Sequence, residues 1–282
     1  MAGVFLGSEA IGRGVLTRGQ LRWNYRQLHR DVYLPKNEPR TLWHDIHAAW
    51  LWSGRRGIVA GRAAAALHGA KWIDDFTPVE LLGPFHHAPP GVILRREACH
   101  PEENVRLSGL PVTSLARTAF DLARHHPRSA AVRDLDALSA ATGVTAGDVM
   151  PLIERHKGAR GVRQCRDALA LMDGGAQSPK ETWLRLILID AGLPRPVTQI
   201  KVTDGLLVAY LDMGWEGPKV ALEYDGDQHR TDRRQYVKDI RRAELCDRLG
   251  WHVIKVVRED PANAIIRRAR DALTRRSSPR LP

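Results

Sequence analysis

Residues 206–251 carry the pattern that decides the fold, and they read LLVAYLDMGWEGPKVALEYDGDQHRTDRRQYVKDIRRAELCDRLGW. Two β-prone runs, 206–214 and 219–225, are separated by a Glu-Gly-Pro turn. A basic helical pattern follows over residues 232–249 and ends at Gly250. The stretch therefore predicts a two-stranded hairpin that leads into a helix.

Carboxylates gather on this hairpin. Side chains alternate along a strand, so Glu223 and Asp225 share one face, and antiparallel pairing can bring Asp212 opposite them. Like charges this close in a buried strand repel each other, and their burial costs hydration energy. A cation between them would offset both effects. A hard divalent cation such as Mg²⁺ or Mn²⁺, which prefers oxygen ligands, would answer that charge problem. The pattern predicts a metal site.

The residues after the hairpin suit chemistry at a phosphate. A bound divalent ion lowers the pKa of a water ligand and polarises a phosphodiester. His229 lies where a general acid or base could reach the same phosphate, although a lone histidine is usually a surface residue. The arginines of the next helix are either contacts to backbone phosphates or a solvated helix face; they are Arg233, Arg234, Arg241 and Arg242.

The segment before the hairpin predicts a well-delimited helix. Ser178 is the expected N-cap, Glu181 at the N3 position completes a capping box, and Gly192 marks the helix end. Capping explains Glu181, which is also a candidate metal ligand. With further strands expected at 199–202 and 251–257, the C-terminal region is predicted to be an α/β (α+β) domain with a mixed sheet.

The first 75 residues predict a winged helix-turn-helix. Thr17 can cap a short helix whose apolar face begins at Leu21, and a β-prone run at residues 32–34 ends at Pro35. The expected nucleic-acid contacts of this region are Arg22, Arg26 and Arg30.

Residues 76–172 predict a small sheet followed by a helical connector. Arg117 and Asp121 are spaced i, i+4 on one of the helices, and we interpret them as a salt bridge rather than as catalytic residues. Glycine and proline at 173–179 mark the main domain boundary. The expected domains are therefore 1–75, 76–172 and 178–282.

The 282-residue chain carries a formal charge of +11. Such a charge attracts polyanions and makes nucleic acid the expected partner, although it could also simply keep the surface soluble. The three cysteines lack the paired spacing of a zinc or disulfide site, and no apolar run reaches membrane-spanning length. We expect a cytoplasmic, nucleoid-associated protein with no membrane partner.

Residues 178–275 resemble the PD-(D/E)XK nuclease superfamily, especially the compact branch related to very-short-patch-repair mismatch endonucleases. The matching acids are Glu181, Asp212, Glu223 and Asp225. The resemblance implies a restriction-endonuclease-like domain that hydrolyses DNA with Mg²⁺ or Mn²⁺, in repair or in defence. One position departs from the pattern, because Asp225 stands where the superfamily usually has a catalytic lysine. The nearest alternatives are Lys219 and Lys238.

The front half is similar to the winged-helix region of AbiEi-type antitoxins and the sequence after it. The similarity rests on the stretches LTRGQLRW, RDVYLP, GRAAAALHGA and SLARTAFDLAR. It implies a second function, that of a DNA-binding transcriptional regulator whose nuclease-like domain is inactive. It also implies a toxin as a possible protein partner.

Overall fold

The computed structural model describes residues 3–225 and 233–277, with the side chains of the latter segment described over residues 239–276. The chain divides into two compact units, Met1–Met172 and Asp173–Pro282, called here the N-terminal and the C-terminal unit. Helices and three antiparallel or mixed sheets make it an α+β protein, as predicted. Among the described helices, none has both the length and the apolar character needed to cross a membrane.

The N-terminal unit begins with a helix-turn-helix joined to a small sheet. Its elements are β1 (Phe5–Leu6), α1 (Gly7–Gly12), α2 (Arg18–Asn24), β2 (Tyr25–His29) and β3 (Val32–Pro35). The strands are antiparallel in the order β1-β3-β2. Thr17 caps α2 through a capping box with Gln20, which confirms the predicted cap. This is the element order of a winged helix-turn-helix.

A five-stranded sheet forms the middle of the same unit. Its sequence of elements is α3 (Leu42–Trp52), β4 (Ile58–Ala60), α4 (Gly61–Leu67), β5 (Val79–Leu82), β6 (Val92–Arg95), a 3₁₀ turn (Pro101–Glu103), β7 (Asn104–Leu107) and β8 (Leu110–Thr113). The strand order is β6-β5-β4-β8-β7. Because β4 precedes residue 75 and pairs with β5, the expected division between residues 1–75 and 76–172 runs through this sheet. The two expected regions fold as one unit.

Four helices complete the N-terminal unit: α5 (Leu115–His125), α6 (Arg128–Thr142), α7 (Ala146–Arg155) and α8 (Val162–Leu171). Ser114 caps α5 by accepting a hydrogen bond from the backbone N–H of Arg117. The side chains of Phe120 and Leu122 are fully buried, which fixes α5 at the centre of the helical layer.

The C-terminal unit has the predicted order of one helix, three strands, a helix and a strand, and it ends with a further helix. The elements are α9 (Pro179–Asp190), β9 (Val197–Thr203), β10 (Val208–Trp215), β11 (Val220–Tyr224), α10 (Arg233–Arg248), β12 (His252–Val256) and α11 (Ala262–Ser277). The sheet order is β12-β11-β10-β9, with β11 and β12 parallel and the other pairs antiparallel. The sheet is therefore mixed, as expected.

Both faces of this sheet are covered by helices. Leu222 packs in a cluster with residues of α9 and α11, while Ala221 packs on the opposite face in a cluster with Leu245 of α10. Along β10, Leu211 belongs to the α10 cluster but Met213 belongs to the opposite one. The alternation of side chains thus changes phase at Asp212, a local irregularity in the strand.

Gly214 allows β10 and β11 to lie close together. It pairs with Ala221, and a Cβ atom at Gly214 would lie 2.3 Å from the carbonyl oxygen of Val220. Because that contact is to backbone, no side chain can move aside to relieve it. The absence of a side chain here keeps Asp212 within reach of β11.

We expect Gly214→Ala to lower the free energy of unfolding of the C-terminal unit by about 1–3 kcal/mol, because an extra methyl in a filled site forces the backbone to shift. Urea unfolding of the full chain measures the effect. Gly217→Ala is the matched control, since no heavy atom lies within 4 Å of its would-be Cβ. Equal stability of the two variants would contradict the packing argument.

Candidate functional site

Asp212 and Glu223 meet where β10 and β11 run side by side. The register pairs Met213 with Leu222, and Oδ2 of Asp212 accepts a hydrogen bond from the backbone N–H of Tyr224 at 2.9 Å. The side chain of Glu223 is buried. The structure therefore brings together two of the predicted acids on adjacent strands.

A lysine that sequence analysis did not single out completes this pair. Strands β11 and β12 are parallel, and Glu223 lies directly opposite Lys255. The Nζ atom of Lys255 is 2.9 Å from Oε2 of Glu223. Burial lowers the pKa of Lys255, but the hydrogen bond and charge of Glu223 outweigh it, so that the pKa lies above its usual value. Lys255 is a charged ammonium at neutral pH.

Neither of the two lysines named from the sequence forms an ion pair with Glu223 in the described part of the structure. Lys219 is exposed immediately before β11, where its Nζ donates a hydrogen bond to the carbonyl oxygen of Leu249 at 2.9 Å. The side chain of Lys238 lies outside the described part of the chain. The signal for Lys255 was its place on a β-prone strand parallel to β11, which becomes visible only when the strand order is known.

Arg242 lies on the other side of Glu223. Its Nη2 atom is 2.5 Å from Oε1 of Glu223 and also donates a hydrogen bond to the carbonyl oxygen of Tyr210. Although it is this close to the guanidinium, Oε1 is buried and accepts no well-aligned hydrogen bond from the described residues. Arg242, expected to bind DNA, thus contacts the acidic site itself, whereas Arg241 is exposed beside it.

Glu181 approaches from α9. Ser178 Oγ accepts a hydrogen bond from the Glu181 N–H at 3.1 Å, which confirms the predicted N-cap. The carboxylate of Glu181 accepts a hydrogen bond from the backbone N–H of Gln177 at 2.8 Å rather than from the backbone N–H of Ser178, so the reciprocal half of the capping box is displaced by one residue. Burial raises the pKa of Glu181.

Charge repulsion marks Asp212. Burial, helped by the negative charges of Glu181 and Glu223, raises the pKa of Asp212 to about 6, against the opposing effects of the hydrogen bond from Tyr224 and the charge of Arg242. The three carboxylates thus lie within electrostatic range of one another. The three carboxylates carry more negative charge than the neighbouring cations, Lys255 and Arg242, neutralise.

These donors fit a hard divalent cation. Asp212 and Glu223 offer carboxylate oxygens, and Oε1 of Glu223 is buried without a hydrogen bond in the described structure. Mg²⁺ is commonly held by one or two carboxylates and several waters. Glu181 is less suited as a direct ligand. In the described structure, the ligand atoms of Glu181, Asp212 and Glu223 do not all lie within 4.8 Å of one another. Asp212 and Glu223 would therefore be the direct ligands of such an ion.

Of the remaining candidate residues of the C-terminal unit, Asp225 has a described side chain, whereas the side chains of the others lie outside the described part of the chain. Asp225 is exposed just beyond β11, and its N–H donates to the carbonyl oxygen of Val256 at 2.8 Å. His229 lies outside the described residues. Arg233 and Arg234 begin α10, but their side chains are outside the described set.

The predicted arginines of the N-terminal unit form a separate surface. Arg22 on α2 and Arg30 in the β2–β3 turn are exposed, whereas Arg26 is half-buried and donates to the carbonyl oxygen of Glu38. Trp23, next to Arg22, is 74 % exposed. An exposed indole beside arginines adds a stacking group that the sequence reasoning had not identified.

Comparisons with known proteins give two relatives in Mycobacterium tuberculosis. "Uncharacterized protein MT2308" of strain CDC 1551 and "Uncharacterized protein Rv2248" of strain H37Rv are each 26 % identical to this chain over 243 residues, which cover 82 % of the chain and 89 % of each relative. No family model matches, and no solved structure gives a significant match. Since neither unit alone is that long, the similarity extends into both units.

The pKa of Asp212 predicts a pH-dependent stability. Its ordinary pKa is 3.8, so between about pH 4 and pH 6 the unfolded chain has already released a proton that the folded chain still holds. The contribution of Asp212 to wild-type stability therefore falls as pH rises through this window, and Asp212→Asn removes that fall. We expect Asp212→Asn to gain on the order of 2 kcal/mol over wild type between pH 4 and pH 7.

Chemical denaturation across this pH range, without divalent ions, measures the difference. Asp271→Asn, a change at an exposed aspartate, is the matched control and is expected to track wild type. Parallel stability curves for wild type and Asp212→Asn would contradict the argument.

Proposed function

We propose that the C-terminal unit is a metal-dependent endonuclease that hydrolyses phosphodiester bonds in DNA. The observation that carries the proposal is the pair of half-buried Asp212 and buried Glu223, with Lys255 at 2.9 Å from Glu223. Two acids that can hold a divalent ion, with an ammonium beside one of them, are groups suited to phosphodiester hydrolysis. The resemblance to PD-(D/E)XK nucleases supports the same conclusion.

In this proposal each side chain has a separate task. Asp212 and Glu223 hold the ion, which supplies Lewis acidity and an activated water when bound. Lys255 keeps its proton at neutral pH, so it acts as a fixed positive charge toward the phosphate rather than as a general base. Arg242 is a positioning residue, because it holds Glu223 from the side opposite Lys255.

Lys255, on β12, can replace the lysine that the nuclease pattern usually has at the position of Asp225. In a parallel pair of strands, directly opposed residues point to the same face, so Lys255 extends from the same face as Glu223. An ammonium is therefore available beside the metal-binding acid even though Asp225 follows it on β11. The aspartate at this position does not by itself argue for an inactive enzyme.

Plasmid cleavage by the full chain with Mg²⁺ or Mn²⁺ tests the proposal. We expect Asp212→Asn and Glu223→Gln to lose activity by more than about 100-fold, and Lys255→Met to lose about 100- to 1,000-fold, the range for removing one preorganised electrostatic group. Glu216→Gln and Lys201→Met, at exposed strand-end and strand positions, are matched controls that should cleave like wild type.

Two results would overturn the enzymatic proposal. One is cleavage by wild type no greater than that of Asp212→Asn. The other is cleavage that persists in chelator, since the two acids would then not act through a metal ion.

A second candidate function is sequence-specific DNA binding by the N-terminal unit, as in a transcriptional regulator. The exposed side chains of Arg22, Trp23 and Arg30 on the winged helix favour it. Arginines contact phosphates and base edges, and an exposed aromatic ring can stack. The two functions are compatible, because a winged helix could direct the nuclease unit to its site.

Salt dependence of DNA binding tests this second function, with Asp212→Asn as the background so that cleavage does not interfere. We expect Arg22→Ala with Arg30→Ala to reduce the slope of log K against log salt by about 2, because each arginine would neutralise one DNA phosphate. Arg163→Ala, an exposed arginine on α8, is the matched control. An unchanged slope in the double variant would exclude this surface.

A further inference from the structure

Glu103 is a buried carboxylate in the N-terminal unit with an unusual set of neighbours. It is 1 % exposed, and Arg117 donates a hydrogen bond to its Oε2. Arg155 Nη1 lies 3.0 Å and His156 Nε2 lies 2.8 Å from its Oε1. Burial raises the pKa of Glu103, but these hydrogen bonds outweigh it and bring the pKa to about 2. The carboxylate is therefore ionised at any physiological pH.

Two imidazoles converge on this carboxylate from different elements. His100 immediately precedes the 3₁₀ turn Pro101–Glu103, and residues three apart on such a turn lie on the same side. His156 is the residue after α7, and its ring centroid is 5.8 Å from that of His100. Ligand atoms of His100, Glu103 and His156 all lie within 4.8 Å of one another.

We propose that His100, Glu103 and His156 bind a zinc ion. Two imidazole nitrogens and one carboxylate oxygen form a donor set that zinc accepts readily, with a fourth position left for water or another ligand. His100 is exposed and His156 is half-buried, so the ion can enter from solvent. This site does not depend on the proposed nuclease function.

The surrounding arginines suit the outer shell of such a site. Arg117 bonds the carboxylate oxygen that faces away from His156, and hydrogen bonds of this kind fix the orientation of a ligating carboxylate. Arg155 and His156 both hydrogen-bond to Oε1 of Glu103 in this structure. Arg155 also forms an ion pair with Glu102 at 2.9 Å. Arg155 therefore retains an acidic partner when the ion takes its place at Oε1.

A neighbouring cluster is less suited to a metal ion. Glu97, Asp121 and His125 also bring ligand atoms within 4.8 Å of one another. Both oxygens of Asp121 already accept hydrogen bonds from arginines, at 3.0 Å from Arg117 and 3.2 Å from Arg124. An ion at either oxygen of Asp121 would have to displace a buried guanidinium group, whereas at Oε1 of Glu103 it would displace only the partly exposed Arg155.

Zinc binding to the full chain carrying Asp212→Asn and Glu223→Gln tests the proposal, because that background removes the acids of the C-terminal site. Competition with a chromophoric chelator at pH 7, with Zn²⁺ as the only metal, gives stoichiometry and Kd. We expect one zinc per chain. His100→Ala and His156→Ala should each raise the Kd by at least about tenfold, the lower bound for disturbing a metal site.

His87→Ala, a change at an exposed histidine, is the matched control and should bind zinc like the background chain. Since His100 is also exposed, its replacement tests the site without removing a buried side chain. No zinc bound by the background chain, or a Kd unaffected by both His100→Ala and His156→Ala, would overturn the proposal. Failure of this test leaves the nuclease test untouched, since the two use different residues.

Discussion

The buried carboxylate of Glu223 is the constraint on which the C-terminal site depends. Placing an ion on a central strand costs hydration energy that must be recovered from nearby opposite charges. Lys255 and Arg242 recover part of it from two sides. Asp212 then adds a second acidic group beside Glu223, and its pKa is raised to about 6, chiefly by burial and in part by the negative charges of Glu181 and Glu223. This residual negative charge is what distinguishes the site from an ordinary buried ion pair, because a divalent ion would relieve it.

The N-terminal unit contains a buried glutamate with the opposite balance. Glu103 has enough donors to bring its pKa to about 2, so its carboxylate needs no further cation for stability. What marks it is the type of donor, since imidazoles can exchange a hydrogen bond for a metal bond whereas guanidinium groups cannot. The two proposed sites therefore differ in kind: oxygen ligands and residual charge for magnesium or manganese, nitrogen-rich ligands for zinc.

Sequence patterns predicted local structure well and long-range pairing poorly. The cap at Ser178 and the alternation that sets Glu223 apart from Leu222 both follow from short-range rules. Lys255 does not, because its position opposite Glu223 depends on which strand lies beside β11. The same limit explains the expected boundary at residue 75, which separates β4 from its partner β5 along the chain but not in space. His100 and Glu103 lie three residues apart, yet His156 joins them only through tertiary packing.

Asp212 shows how a local irregularity can make a site. Regular alternation along β10 would place Asp212 on the same face as the exposed Tyr210. The phase change between Leu211 and Met213 instead lets its carboxylate reach the backbone of Tyr224, and Gln199, on the neighbouring strand β9, has a φ of 50°. Irregularities of this kind redirect side chains next to active sites. A regular strand would have left Glu223 with two cations and no acidic neighbour. The negative charge that the nuclease proposal requires thus arises from the break in the strand.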